Sequence, residues 1–365
     1  MRYLDGFRDP QAAAALAERA GALAARLERP VQLMEVCGSH TMAIARYALR
    51  GMLPANVRLI SGPGCPVCVT DAGYVDAAID LAERGVRIAT FGDLLRVPGS
   101  RRSLADVRAE GAVVRVVYAP DQALEWARQE PEHPWVFLAV GFETTTAPLA
   151  ALASGLVRSG PANMSLLTAF KRVPPALDAL VADPALAIDG FLCPAHVSAI
   201  LGADAYRPYA EVHGRPCVVA GFEPLDILLG VCGLLEQLVA GEARVDNQYE
   251  RVVRPEGNLV AKRLIDACFE PVDAPWRGLG TLPASGYGLR AELAHLDAEK
   301  VHDRPVTAGR DHPACRCGDV LKGVLEPQGC KLFGRACLPD HPLGPCMVSS
   351  EGSCAAAWKY ARVDP

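Results

Sequence analysis

The residues most able to do chemistry are thirteen cysteines, and they are not spread evenly. Cys37 opens the run Cys37-Gly38-Ser39-His40-Thr41, and Cys65 and Cys68 form a C-x-x-C inside Gly62-Pro63-Gly64-Cys65-Pro66-Val67-Cys68. Six more fall within Cys315–Cys354. A cysteine just before a helix start lies where the helix dipole favours its thiolate, a nucleophile and a soft-metal ligand. Cys37 is such a residue, with Ser39 as N-cap and His40 near enough to be a second ligand or a proton carrier. The plainer alternative is a small buried thiol beside a backbone-bonded histidine. Two thiols separated by two residues can cycle with a disulfide. Cys65 and Cys68 are read that way in preference to half of a zinc site, which would need two more ligands.

In the tail, Cys315, Cys330, Cys337 and Cys354 are separated by fourteen, six and sixteen residues, with Cys317 and Cys346 left over. Four thiolates on loops suit an iron–sulfur cluster; a zinc site drawing on His312 or His341 is the alternative. Spacing does not say which four of the six are ligands, nor whether Cys315 or Cys317 is the first. Cys217, Cys232 and Cys268 lie in or beside apolar runs and read as core fillers.

These side chains need elements to hold them. Asp9-Pro10 is a helix-start signal for an amphipathic run to Arg29. Four short apolar runs follow, Val31–Val36, Val57–Ser61, Val86–Phe91 and Val113–Tyr118, alternating with helical segments. That pattern predicts parallel strands in a βαβα series. After the proline-rich break Glu130–Pro134 come strands Trp135–Val140, Met164–Ala169, Ile188–Leu192 and Pro216–Ala220, then a helix near Pro224–Val239. The expected fold is two similar parallel-sheet α/β domains, 1–130 and 131–240, plus a loop-rich C-terminal iron–sulfur domain, 241–365. Ligands of open parallel sheets bind beyond the strands' carboxyl ends. The Cys37 and C-x-x-C segments lie there, with Phe91-Gly92-Asp93, Gly141-Phe142-Glu143, Cys193-Pro194-Ala195-His196 and Gly221-Phe222-Glu223. Asp93, Glu143 and His196 therefore join Cys37, His40, Cys65 and Cys68 as candidate catalytic residues, although Glu143 and Glu223 could simply favour helix N-termini.

Composition narrows the function classes. The 365 residues are 50% hydrophobic, 22% charged and 6% aromatic, as in globular chains. Lys and Arg total 37 against 42 Asp and Glu, a net charge of −5, with no basic cluster beyond Arg101-Arg102. Nucleic acid and anionic lipid are not expected partners. Apolar stretches such as Trp135–Phe142 are too short to span a bilayer. Charges punctuate the Ala-rich first thirty residues, against a secretory segment, and a cytoplasmic location is expected. Cysteines in a reducing compartment read as metal or redox ligands rather than as a disulfide framework. No Gly-x-x-x-x-Gly-Lys-Ser/Thr loop is present.

Together the motifs resemble the HypD family of nickel–iron hydrogenase maturation proteins over nearly the full length. The resemblance rests on Cys37–Thr41, Gly62–Cys68, Phe91–Asp93 with Arg96–Ser100, Gly141–Thr145, Cys193–His196, Arg215–Cys217, Gly221–Asp226 and the tail Cys315–Cys354. It implies an assembly scaffold that, with a HypC-type chaperone, holds the iron that receives cyanide and carbonyl ligands before delivery to the hydrogenase large subunit. Cyanide would come from a HypE-type partner. Cys37 would be the iron's protein ligand, and thiolate suits so soft a metal. Cys315, Cys330, Cys337 and Cys354 would hold a 4Fe-4S cluster, with Cys317/Cys346 and Cys65/Cys68 as redox pairs supplying electrons. The alternative is a self-contained iron–sulfur and dithiol oxidoreductase acting on a small molecule.

Overall fold

Asp9 and Pro10 start the first helix as their types dictate: the Asp9 carboxylate accepts from the Gln11 and Ala12 amides at 2.8 and 2.9 Å, and Pro10 opens the helix Pro10–Ala24. The helix stops short of Arg29. The Ala24 carbonyl accepts from the Asn56 side chain at 2.9 Å, and Pro30 disfavours helical backbone in the residue before it. The computed structural model describes residues 5–360, so the outermost residues of the expected first and third domains lie outside it.

Among the described residues eleven strands follow: β1 Val31–Glu35, β2 Val57–Ser61, β3 Arg87–Phe91, β4 Val114–Val117, β5 Trp135–Gly141, β6 Met164–Lys171, β7 Gly190–Pro194, β8 Cys217–Ala220, β9 Val245–Asn247, β10 Phe269–Trp276 and β11 Gly280–Leu289. They form two sheets, ordered β2-β1-β7-β8-β9 and β10-β11-β6-β5-β3-β4. The first is parallel throughout; in the second, β10 and β11 are antiparallel additions at one edge. The protein is thus an α/β fold with two parallel-rich sheets.

The sheets do not follow the expected division at 130/131. Trp135 of β5 pairs with Arg87 of β3 across that break, while Gly190 of β7 pairs with Leu33 of β1. Each expected unit gives two strands to each sheet. β5 is buried along its whole length and so takes a central place between β3 and β6, which a unit beginning at 131 would not supply. Nor does the third region start cleanly at 241, because β9 extends the first sheet and β10–β11 the second. The loop-rich tail proper follows the short helix Ala298–Val301.

One apolar cluster joins the sheets and the tail. It contains Met34 and Val36 beside β1–β2, Phe142 and Trp276 from the second sheet, Cys65 and Cys68, and Cys317 and Cys346. The last helix, Ser353–Tyr360, packs on the helix Gly38–Arg46 that follows Cys37. Among the described residues no helix is long and apolar enough to cross a membrane.

Candidate functional site

Cys37 itself is the N-cap of the helix Gly38–Arg46, two residues ahead of Ser39, the N-cap expected from the sequence. Its thiol is nevertheless not favoured as a thiolate. Burial, then the Glu351 and Glu35 carboxylates, push it up to about 12, outweighing a helix terminus worth about 1 kcal/mol. A coordinating metal would have to displace the proton. Beneath Cys37 lies Glu35, fully buried, whose carboxylate accepts from the Cys37 amide at 3.2 Å and the Thr41 hydroxyl at 2.5 Å. Above it, Glu351 accepts from the Ser39 hydroxyl at 2.9 Å and packs where a Gly38 side chain would stand.

The C-x-x-C segment is fused to Cys37 through backbone. Gly38 N donates to Gly64 O at 2.9 Å, and a Cβ on Gly64 would lie 2.2 Å from the Cys37 nitrogen. Only glycine permits this approach. Cys65 caps the short helix Pro66–Val69, and its sulfur is bonded to that of Cys68, with the Cα atoms 5.2 Å apart. Gly64→Ala is expected to destabilise the fold by about 1–3 kcal/mol and to separate the two cysteine segments. Urea denaturation checks the first effect and Cys37 alkylation rates, which should rise, the second.

His40 is wholly buried, its Nε2 within 2.8 Å of Gly221 O and 3.1 Å of Ala220 O. Burial pushes its imidazole down to about 4, so it is neutral at physiological pH; Nε2 donates to those carbonyls, and Nδ1 is left a buried acceptor without a partner. Phe222 lies against both imidazoles, its ring centroid 5.1 Å from that of His40 and 4.4 Å from that of the exposed His196. The structure thus brings Cys37, His40, His196 and the C-x-x-C to the carboxyl ends of adjacent strands of the first sheet.

Glu143 and Asp93 stand at the second sheet. Glu143 Oε1 accepts from the Val173 amide at 3.0 Å, Oε2 is buried without a partner, and burial raises the carboxyl to about 7. Folded protein therefore binds this proton more tightly than unfolded chain, whose glutamates titrate near about 4.3. The stabilisation is complete below that value and is lost as pH rises through about 7. Glu143→Gln is expected to remove roughly 2–3 kcal/mol of that pH-dependent loss, measured as unfolding free energy at pH 5 and 8. Asp93 instead anchors the tail: its Oδ2 accepts from the Ser349 hydroxyl at 2.9 Å, the Ser350 amide at 3.2 Å and the Ser350 hydroxyl at 3.1 Å.

All six tail cysteines line one small cavity, walled otherwise by Arg316 and by apolar groups such as Leu332, Phe333 and Met347. Cys317 and Cys346 are buried with their sulfurs 2.7 Å apart. That leaves Cys315, Cys330, Cys337 and Cys354 around the remaining space. Gly344 lets Cys315 in, since a Cβ there would lie 2.7 Å from its sulfur. His312 and His341, which a mixed zinc site would use, do not line the cavity. Four soft donors in an apolar pocket fit an iron–sulfur cluster. Among the described residues no three metal-binding side chains converge as they would on a single ion.

Residues 11–361 match the family described as HypD: Hydrogenase formation hypA family. The chain belongs to the HypD family. It is 48% identical to the hydrogenase maturation factor HypD of Azotobacter vinelandii over 370 residues, 99% of this chain and 97% of that protein. HypD2 of Bradyrhizobium diazoefficiens is 46% identical over 371 residues, 99% of this chain and 97% of the relative. HypD of Cupriavidus necator is 42% identical over 374 residues, 99% and 98%. A role in hydrogenase maturation follows from this membership.

Three residues of this HypD chain escape sequence reading. Glu35 had a faint signal, a carboxylate ending the apolar run Val31-Gln32-Leu33-Met34. Glu351 reaches Ser39 across 312 positions. Arg277, at the end of β10, is buried between the C-x-x-C segment and the tail.

Proposed function

We propose that this HypD family member is the scaffold on which the cyanide- and carbonyl-bearing iron of nickel–iron hydrogenase is assembled, together with a HypC-type chaperone. The observation that carries the reading is continuity: the tail thiols, the Cys65–Cys68 pair and Cys37 form one connected set, through a shared apolar cluster and then backbone contact. Cargo iron is the substrate. Low-spin iron with cyanide and carbonyl ligands is soft, and Cys37 is the soft donor at the strand edge. Binding releases the Cys37 proton; neutral His40 is too deeply bonded to move, so the solvent-facing His196 is the proton carrier.

Cyanide delivered as a thiocyanate on a HypE-type partner must be released reductively. The S–C bond breaks, two electrons leave cyanide and a partner thiolate, and reduced Cys65 and Cys68 supply those electrons as they close their disulfide and give up two protons. Cys315, Cys330, Cys337 and Cys354 would hold a 4Fe-4S cluster, which when bound supplies electrons one at a time. Cys317 and Cys346 stand in the apolar cluster between that cavity and Cys65–Cys68, where they can collect two electrons as a dithiol.

Anaerobic co-purification with a HypC-type chaperone tests this role. The complex should carry one iron per chain beyond that of the protein purified alone; a complex with no added iron would refute the scaffold. A second, independent check is mass spectrometry after alkylation of oxidised protein, which should find Cys65 linked to Cys68.

A further inference from the structure

Lys171, the last residue of β6, is 2% exposed and is the one buried lysine of the chain's six. Strand alternation turns it away from Phe170, which packs in the second sheet's core, and onto the opposite face, where Leu167 meets Tyr74 and Val75 of the helix Ala72–Glu83. There it lines a cavity of about 430 Å³, walled by the start of that helix, by β10 and β11 and by the segment 297–306. Among the described residues Lys171 makes no hydrogen bond and no ion pair. An ammonium left so is costly, and burial pushes it down to about 8, with the Asp71 carboxylate pulling only partly the other way. An arginine would keep its charge here, whereas an amine can lose its proton and become a nucleophile. Five carboxylates, Asp71, Glu270, Asp273, Asp297 and Glu299, line the same cavity. Three are fixed by backbone: Asp71 accepts from the Gly73 and Gly309 amides at 2.8 Å, Asp273 from the Ala284 amide at 2.9 Å and Glu299 from the Val306 amide at 2.7 Å. The other cation of the wall, Lys300, is paired with Asp297 at 3.4 Å.

We propose that this cavity is a covalent binding site in which Lys171 takes a small, neutral aldehyde as an imine. The walls select the class. Fixed negative charge repels an anionic ligand and opposes a carbamate, which would add a further negative charge, but it stabilises the protonated imine, which carries a positive one. Nζ adds to the carbonyl carbon, its two protons leave with the carbonyl oxygen as water, and a C=N bond replaces C=O; nothing is oxidised or reduced. The site is on the second sheet and is independent of the iron-scaffold reading.

The test uses the native full chain at pH 7 with propanal and sodium cyanoborohydride, which reduces an imine to a stable secondary amine, and peptide mass spectrometry reads the modified fraction at each lysine. Lys171 should be trapped at least about tenfold faster than the exposed Lys331 and Lys359, because a far larger share of it is free amine. Its advantage should vanish when the protein is unfolded in urea, since the fold creates it. With glyoxylate, an aldehyde that carries a carboxylate, the rate at Lys171 relative to the exposed lysines should fall severalfold. Trapping of Lys171 by propanal no faster than of the exposed lysines, or an advantage that persists in urea, overturns the site. A relative rate that is the same for propanal and glyoxylate overturns the assignment to neutral aldehydes.

Discussion

Cys37→Ala is expected to abolish hydrogenase maturation in a strain lacking its own HypD, while the purified variant keeps the tail's iron and sulfide. The loss would be chemical. Cys37 caps its helix with no side-chain hydrogen bond, and truncating so small a side chain costs about 1 kcal/mol, too little to unfold a domain. The tail ligands lie in a separate cavity. Cys37→Ser should retain at most traces, because a hydroxyl is a harder and far less acidic ligand. Hydrogenase activity in extracts, with iron and sulfide analysis of the variant, checks both halves.

Cys337→Ala should strip the tail. The native protein is expected to be brown, with about four tail irons per chain, and the variant colourless with none. The surrounding loops are rich in Gly and Pro and depend on a cross-link for order. The variant should therefore melt lower, and cleavage by protease should begin between 310 and 350. Cys268→Ala, a control in the second sheet's core, should keep the colour. Stoichiometric zinc without sulfide in the native protein would contradict this account of the tail.

Much of the site was legible because strand ends are. β2 runs Val57–Ser61 as its apolar pattern requires, and the helix Pro224–Ala240 is within one residue of expectation. The Cys37, C-x-x-C and His196 motifs could be assigned to strand ends without knowing which strands pair. Pairing itself was hidden. Nothing local to Trp135–Gly141 says that it lies beside Arg87–Phe91, or that Gly190–Pro194 crosses back to Val31–Glu35, since parallel neighbours are joined by long connections whose partners sequence order does not fix. Asp93 is hidden in the same way: its position after β3 suggested chemistry, but its carboxylate is occupied by Ser349 and Ser350, more than 250 positions away. Glu351 and Arg277 act through neighbours that the tail and β10 bring together, whereas Glu35 bonds locally to Cys37 and Thr41 and only its burial is tertiary. The helix-terminus argument for a Cys37 thiolate fails for a related reason: it counts the local dipole and not burial or the two carboxylates that tertiary packing sets beside the sulfur.

The most direct measurement is an infrared spectrum of the anaerobic complex with a HypC-type chaperone, for the native protein and for Cys37→Ala. Cyanide and carbonyl stretches absorb where proteins do not, so they report the cargo iron alone. The account predicts both sets of bands in the native complex and neither in Cys37→Ala, with tail iron equal in the two samples. Full bands in the Cys37→Ala complex would mean that the iron is held elsewhere, and would contradict it.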